Sequence, residues 1–229
     1  MEFYSEAMRA AWGLLERGEA PIYDAIWRSL RVATLATLLS SLLGIPLGAW
    51  IALRSFRGKR AVIALFSTLM AVPTVVVGLL LYGLFTRQGL LGSWGWLYSE
   101  AALLTAETLI AFPVITRLSI AALGAIDPRV YSTLLTLGAS SWQALLLSLR
   151  EAVPGLAIAV ISGYGRALSE VGAAMIVGGN IRGRTRTMTT AIALEASRGN
   201  FEAGLALGFV LLLLFLAINL LLLRVQDRS

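Results

Sequence analysis

The sequence predicts an all-α integral membrane protein with five transmembrane helices. Hydrophobic residues make up 58% of the 229 positions and charged residues only 14%, which is more apolar surface than a soluble core of this size can bury. Five apolar stretches are long enough to cross roughly 30 Å of hydrocarbon as helices. The predicted spans are residues 24–53, 61–86, 101–126, 152–181 and 203–224.

Two of these spans carry charged residues at membrane depth. Glu107 and Arg117 lie in the third span, and Arg166 and Glu170 lie in the fourth. Such groups are costly in lipid unless they are paired or hydrated, so both helices are expected to face the protein interior or a water-filled path. Arg166 and Glu170 are four residues apart and can form an intramembrane ion pair, which either locks the bundle or marks the pathway. Glu107 and Arg117 are too far apart to pair within one helix, so each is expected to find a partner in another span.

The loop that follows the first span determines the predicted orientation. Its four cations, with no anion, are Arg54, Arg57, Lys59 and Arg60. A short loop with this excess is expected to be cytoplasmic. Residues 1–23 then form an external segment, either a short helix at the membrane interface or a frayed tail, while residues 127–151 and the tail 225–229 are cytoplasmic.

Composition also excludes several classes of function. The chain contains no Cys and no His, which removes disulfides, Ser-His and Cys-His nucleophile pairs and thiolate or imidazole metal sites. Lys59 is the only lysine, and its surroundings do not match a phosphate-binding loop. We therefore expect a protein that is not an enzyme, with no cofactor and no metal of its own. The net charge of +6 is assigned to membrane topology, and no nucleic-acid partner is expected.

A small-residue hinge followed by an aromatic residue lies between the third and fourth spans. The hinge residues are Leu137, Gly138, Ala139, Ser140, Ser141 and Trp142. Gly138 can end one helix in the left-handed conformation, and Ser140 or Ser141 can cap the next. The pattern predicts two short coupling helices that present Trp142 to a partner, because aromatic anchors carry much of the binding energy at interfaces. An ordinary hairpin with Trp142 at the membrane interface is the alternative.

Residues 131–154 resemble the cytoplasmic coupling loop, often called the EAA loop, of permease subunits in binding-protein-dependent ABC importers. Gly138 takes the glycine position of that pattern. Residues 132–134 are Ser-Thr-Leu in place of Glu-Ala-Ala, and Pro154 lies further from the glycine than in the family. The resemblance implies the fold of an ABC importer permease, with an ATPase docked at residues 137–142.

A second motif covers residues 165–181 (GRALSEVGAAMIVGGNI) and residues 184–192 (RTRTMTTAI). It resembles the tungstate branch of the molybdate/tungstate permease family. The resemblance implies a homodimer in a prokaryotic inner membrane, with two cytoplasmic ATPase subunits that carry ATP and Mg and an external oxyanion-binding protein.

Polar and small residues at the end of the fourth span are the candidates for the substrate pathway. They are Ser169, Gly178, Gly179, Asn180, Arg182, Arg184 and Thr187. Residues 178–180 end the span with backbone N–H groups and an amide, neutral donors suited to passing an oxyanion; simple helix termination is the alternative. The arginines and threonines that follow can meet a tetrahedral oxyanion or acidic residues of a docking protein, or can form a capped surface helix.

The predicted function is the permease subunit of an ATP-driven importer for tungstate. Another anion, namely molybdate, sulfate or phosphate, remains open because an external binding protein usually sets selectivity. A secondary carrier or channel that acts alone is a further alternative, although no repeated pair of interrupted spans marks one.

Overall fold

The computed structural model describes residues 9, 12–13 and 20–226. Most of the predicted external segment 1–23 and the end of the tail 225–229 lie outside the described residues. Residues 20–226 are α-helical with short loops and contain no strand. In chain order the helices are α1 (Ala20–Leu53), α2 (Lys59–Met70), α3 (Thr74–Phe85), α4 (Glu100–Gly124), α5 (Pro128–Thr136), α6 (Ser141–Glu151), α7 (Val153–Leu168), α8 (Gly172–Gly178), α9 (Met188–Ser197) and α10 (Phe201–Gln226).

Helices long and apolar enough to cross a membrane are α1, α4 and α10, and the bent pair α2 and α3 supplies a fourth if it counts as one span. Two predicted spans are not continuous helices. The span 61–86 bends by 91° between α2 and α3. Pro73 causes this break, because proline lacks an N–H and disfavours helical backbone in the residue before it. The span 152–181 is divided into α7 and α8, so the count of five spans stays a prediction.

Helix α4 is the central element, and small residues allow its neighbours to approach closely. A Cβ added at Gly48 of α1 would lie 2.7 Å from the Cβ of Ser119 on α4. A Cβ added at Gly163 of α7 would lie 2.4 Å from Cγ1 of Ile115 on the same helix. Glycine at both positions therefore allows backbone contacts that a larger residue would prevent.

The outer faces of the bundle are apolar and exposed. On α1 and α10 the exposed leucines include Leu38, Leu42, Leu43, Leu212 and Leu213. A continuous apolar surface of this kind marks contact with lipid or another protein. This surface agrees with the prediction of an integral membrane protein.

Candidate functional site

A break between α7 and α8 brings the predicted ion pair to the centre of the candidate site. Arg166 Nη1 lies 3.1 Å from Glu170 Oε2. The other carboxylate oxygen of Glu170 accepts a hydrogen bond of 2.8 Å from the backbone N–H of Ala173. Glu170 therefore joins the last turn of α7 and caps the first turn of α8, a second role that its spacing from Arg166 did not indicate.

Hydrogen bonds from the start of α9 connect the segment between α7 and α8 to the rest of the bundle. Thr189 Oγ1 donates to the Glu170 carbonyl oxygen at 2.6 Å. Thr187 and Thr190 form a reciprocal capping box at the first turn of α9. The backbone N–H of Met188 donates to Ser29 Oγ on α1 at 2.8 Å. The first residues of α9 thus connect this helix to α1 and to the break between α7 and α8.

A turn after α8 is closed by buried hydrogen bonds. Thr185 Oγ1 donates to the Gly178 carbonyl oxygen at 2.5 Å and accepts from the Ile181 N–H at 3.0 Å. Asn180 Nδ2 donates to the Thr190 carbonyl oxygen at 3.1 Å, and Asn180 Oδ1 accepts from Arg186 Nε at 3.0 Å. The polar groups of this turn therefore bond mainly to one another.

The candidate pathway residues divide into two groups. Ser169, Gly179, Arg182 and Arg184 are exposed, whereas Gly178, Asn180 and Thr187 are buried. The amide of Asn180 is committed at both ends, because its Nδ2 donates to the Thr190 carbonyl oxygen and its Oδ1 accepts from Arg186, so a role for this residue in the pathway stays a prediction. The backbone N–H of Gly179 is likewise committed to Met175, so residues 178–180 offer fewer free donors than the sequence predicts.

The arginines after α8 lie close enough to affect one another. Burial of the Arg186 guanidinium, together with the positive charges of Arg198 and Arg182, lowers its pKa from the ordinary value, while Glu195 acts in the opposite direction. The segment therefore concentrates positive charge at one end of the bundle, and such a field attracts anions.

The hinge between α5 and α6 has the predicted backbone geometry. Gly138 has a φ of 89°, its N–H donates to Leu135 O at 3.1 Å, and the Ala139 N–H donates to Leu134 O at 3.0 Å. This pair of bonds is a Schellman turn, which glycine favours because it has no Cβ.

The second helix of this hairpin is capped by Ser140. Ser140 Oγ accepts from the Gln143 N–H at 3.3 Å, and Gln143 Oε1 accepts from the Ser140 N–H at 2.9 Å. Leu137 and Trp142 are 78% and 67% exposed on either side of the turn. The hairpin therefore presents two large apolar side chains that no described residue covers.

A cavity of about 290 Å³ lies in the same hairpin. It is lined by Val130, Leu134, Leu147, Arg150 and Glu151. The sequence did not indicate this cavity, because it depends on how α5 and α6 pack together.

Two charged residues of α4 have different surroundings. Arg117 Nε donates to Ser67 Oγ on α2 at 3.0 Å, which gives it the predicted partner on another element. Glu107 is buried, and its Oε2 has no hydrogen-bond partner among the described residues. The expectation that Glu107 finds a partner in another span therefore stays a prediction, and Oε2 is the atom that such a partner would have to meet.

Sequence reasoning missed two contacts at the end of the bundle opposite the hairpin. Arg28 and Arg31 of α1 both form ion pairs with Glu100, the first residue of α4. Tyr98, whose φ is 61°, donates its N–H to the Val177 carbonyl oxygen at 2.8 Å. Both contacts join segments far apart in sequence, so no local pattern could have indicated them.

Apolar helices long enough to cross a membrane, together with the broken spans, are the features of a polytopic membrane protein. Residues 44–229 match the family described as "Binding-protein-dependent transport system inner membrane component", and the chain belongs to this family. It is therefore a membrane-spanning permease subunit of an ABC importer, a class that works with ATPase subunits and a binding protein.

Two relatives match along most of their length. The chain is 41% identical over 206 residues to a "Probable anion ABC transporter permease protein" of Haloferax volcanii, covering 88% of this chain and 89% of the relative. It is 38% identical over 227 residues to the "Tungstate uptake system permease protein TupB" of Peptoclostridium acidaminophilum, covering 99% of this chain and 100% of the relative.

A solved structure shows the same fold. It is a bacterial ABC transporter involved in the import of the acidic polysaccharide alginate. The TM-score is 0.75 at 20% identity, over 96% of this chain and 83% of that chain. This likeness confirms the all-helical fold of the ABC importer permease type.

Proposed function

We propose that this chain is the permease subunit of an ATP-driven tungstate importer. The observation that carries the substrate assignment is the 38% identity to a tungstate uptake permease along 99% of this chain. The relative described only as an anion permease agrees with an oxyanion substrate. The arginine-rich segment after α8 supports the same class of substrate, because positive charge raises the local concentration of an anion.

The assembly we propose contains two copies of this chain, two cytoplasmic ATPase subunits and an external oxyanion-binding protein. The ATPase subunits carry ATP and Mg, and this chain carries neither. The N-terminus is external and the C-terminus cytoplasmic, with the hairpin of α5 and α6 on the cytoplasmic side. The cationic loop at residues 54–60 supports this orientation.

The hairpin is the proposed docking element for the ATPase, with residues 137–142 at its tip. Trp142 and Leu137 are the exposed apolar anchors, and the Schellman turn at Gly138 holds them in place. Only Ala152 separates α6 from α7, and its backbone is helical. The connection is therefore short enough to transmit movement of the hairpin to the broken span, where Arg166 and Glu170 lie.

Reconstitution tests the substrate assignment. The permease, its ATPase and the binding protein are placed in liposomes, and ATP hydrolysis is measured with tungstate, molybdate, sulfate or phosphate. Stimulation by tungstate at the lowest concentration supports the proposal. Stimulation only by another of these anions overturns the substrate assignment, and a response to none overturns the assignment to oxyanions.

A matched pair of variants tests the docking role. Trp142→Ala removes the proposed anchor, which is 67% exposed. Trp27→Ala is the control, because it removes a tryptophan of similar exposure, 64%, near the start of α1. We expect Trp142→Ala to weaken binding of the ATPase about tenfold or more, the loss typical of an interface hot spot. Trp27→Ala should leave this affinity unchanged. Equal affinities for the two variants, measured by titrating labelled ATPase onto the permease, would refute the docking role.

A further inference from the structure

The guanidinium of Arg166 is only partly used by the protein. Its Nη1 donates to Glu170 Oε2 at 3.1 Å. In the described part of the chain, Nε and Nη2 have no hydrogen-bond partner. The Arg166 side chain is 32% exposed, whereas that of Glu170 is 1% exposed. Arg166 therefore keeps free donors at the surface of the bundle, while its counter-charge is buried.

The helix surface near this guanidinium is partly open. The Arg166 side chain is itself partly exposed, and at the preceding position a Cβ added at Gly165 would meet no atom within 4 Å. Ser169, about one turn further on, is also exposed, although its hydroxyl hydrogen is committed to the Arg166 carbonyl oxygen at 3.2 Å. A molecule that enters this space therefore meets the guanidinium rather than a serine donor.

The depth of Arg166 determines what this surface can face. Val153 begins α7, so Arg166 lies about 20 Å along the helix at roughly 1.5 Å per residue. An exposed guanidinium at that depth is costly against lipid chains. This face of α7 is therefore expected to meet a water-filled path or a second copy of the chain, in contrast to the leucine-rich faces of α1 and α10.

We infer that Arg166 is a transient binding site for the oxyanion at membrane depth, an inference that rests on the proposed function. The free edge of a guanidinium matches two oxygens of a tetrahedral oxyanion, a geometry that a lysine ammonium cannot reproduce. Glu170 neutralises part of the charge, so the anion is held weakly enough to leave, as conduction requires. The ion pair is thus both the joint between α7 and α8 and a contact for the substrate.

The first test compares transport with ATP hydrolysis in the reconstituted complex. Arg166→Lys retains a positive charge for Glu170 but loses the two-pronged geometry. We expect the amount of tungstate transported per ATP hydrolysed to fall roughly tenfold, the loss of about one charge-assisted hydrogen bond. An unchanged ratio would overturn the inference. Absence of tungstate stimulation in the wild-type complex would instead count against the proposed function.

A second measurement needs no transport activity. Because the chain has no cysteine, Ser169→Cys supplies a single thiol beside the guanidinium. The labelling rate with a methanethiosulfonate that carries a sulfonate, divided by the rate with its trimethylammonium counterpart, should be higher for this thiol than at an exposed control position, and Arg166→Gln should reduce that preference roughly fivefold. Millimolar tungstate should slow labelling only when Arg166 is present.

The control for this measurement is Ser93→Cys, an exposed position in the loop before α4. Its preference between the two reagents should not depend on residue 166. If Arg166→Gln leaves the preference at position 169 unchanged, or if tungstate slows labelling equally with and without Arg166, the guanidinium does not meet anions and the inference is wrong. These labelling rates can be measured whether or not the complex transports tungstate.

Discussion

Replacing Thr185 with valine tests whether a buried hydroxyl holds the turn after α8. Thr185 is fully buried, and its hydroxyl donates to the Gly178 carbonyl oxygen at 2.5 Å and accepts from the Ile181 N–H at 3.0 Å. Valine has nearly the same shape, so it removes both hydrogen bonds without opening a cavity. Each buried polar group left without a partner costs about 1–3 kcal/mol. Two groups lose their partner, so we expect Thr185→Val to lower the free energy of unfolding by about 2–6 kcal/mol.

The assay is equilibrium unfolding of the purified permease in mixed micelles with increasing dodecyl sulfate, followed by helical circular dichroism. Thr185→Ser keeps the hydroxyl and loses one methyl group, which should cost about 1 kcal/mol. Thr136→Val is the matched control, because that exposed hydroxyl donates only to the carbonyl oxygen of Thr133 at 2.8 Å. Its expected cost is about 0.5 kcal/mol or less.

The order of the free energies of unfolding shows whether the Thr185 hydroxyl stabilises the turn. If Thr185→Val unfolds within about 0.5 kcal/mol of the wild type, the hydroxyl does not stabilise the turn. If Thr185→Ser is less stable than Thr185→Val, the methyl group stabilises the fold more than the hydrogen bonds do. Either result would refute the reasoning.

The same titration tests packing and charge elsewhere in the bundle. Gly163→Leu should lower the free energy of unfolding by about 1–3 kcal/mol, because even a Cβ there would lie 2.4 Å from Ile115 Cγ1. Gly165→Ala places its methyl group in open space and should change the free energy of unfolding by about 0.5 kcal/mol or less. A greater loss for Gly165→Ala would contradict the packing of α7 on α4. Glu170→Gln weakens an ion pair and a helix cap and should lower the free energy of unfolding by about 2 kcal/mol. Glu107→Gln alters a carboxyl group whose Oε2 has no described partner, and its free energy of unfolding should stay within about 1 kcal/mol of the wild type. The reverse order would show that Glu107 is the more strongly bonded carboxyl.

Much of the fold followed from properties that are local in sequence. The apolar stretches predicted an all-helical membrane protein, and this class is confirmed. The hinge at Gly138 and the cap at Ser140 were also predictable, because helix ends depend on a few adjacent residues. The bend at Pro73 was missed because the prediction of spans used hydropathy alone and gave no weight to the proline.

The candidate site was only partly predictable. Spacing identified Arg166 and Glu170 as a pair, because residues four apart share a helix face. It could not show that Glu170 also caps α8, since that role arises only where the helix breaks. Residues 178–180 were predicted to offer backbone and amide donors, yet the Gly179 N–H is bonded to Met175 of the preceding helix and the Asn180 amide to Thr190 of the following segment.

The sequence by itself determined the membrane class, the family and the chemistry available, because hydropathy, helix capping and the absence of cysteine and histidine need no knowledge of contacts. Tertiary structure decided which polar groups are hydrogen-bonded within the protein and which stay free. Met188 bonds to Ser29 across 159 positions, Asn180 is occupied by Thr190, and Arg166 keeps two nitrogens unbonded. The physical reason is that a buried donor or acceptor takes whichever partner the folded chain brings within reach.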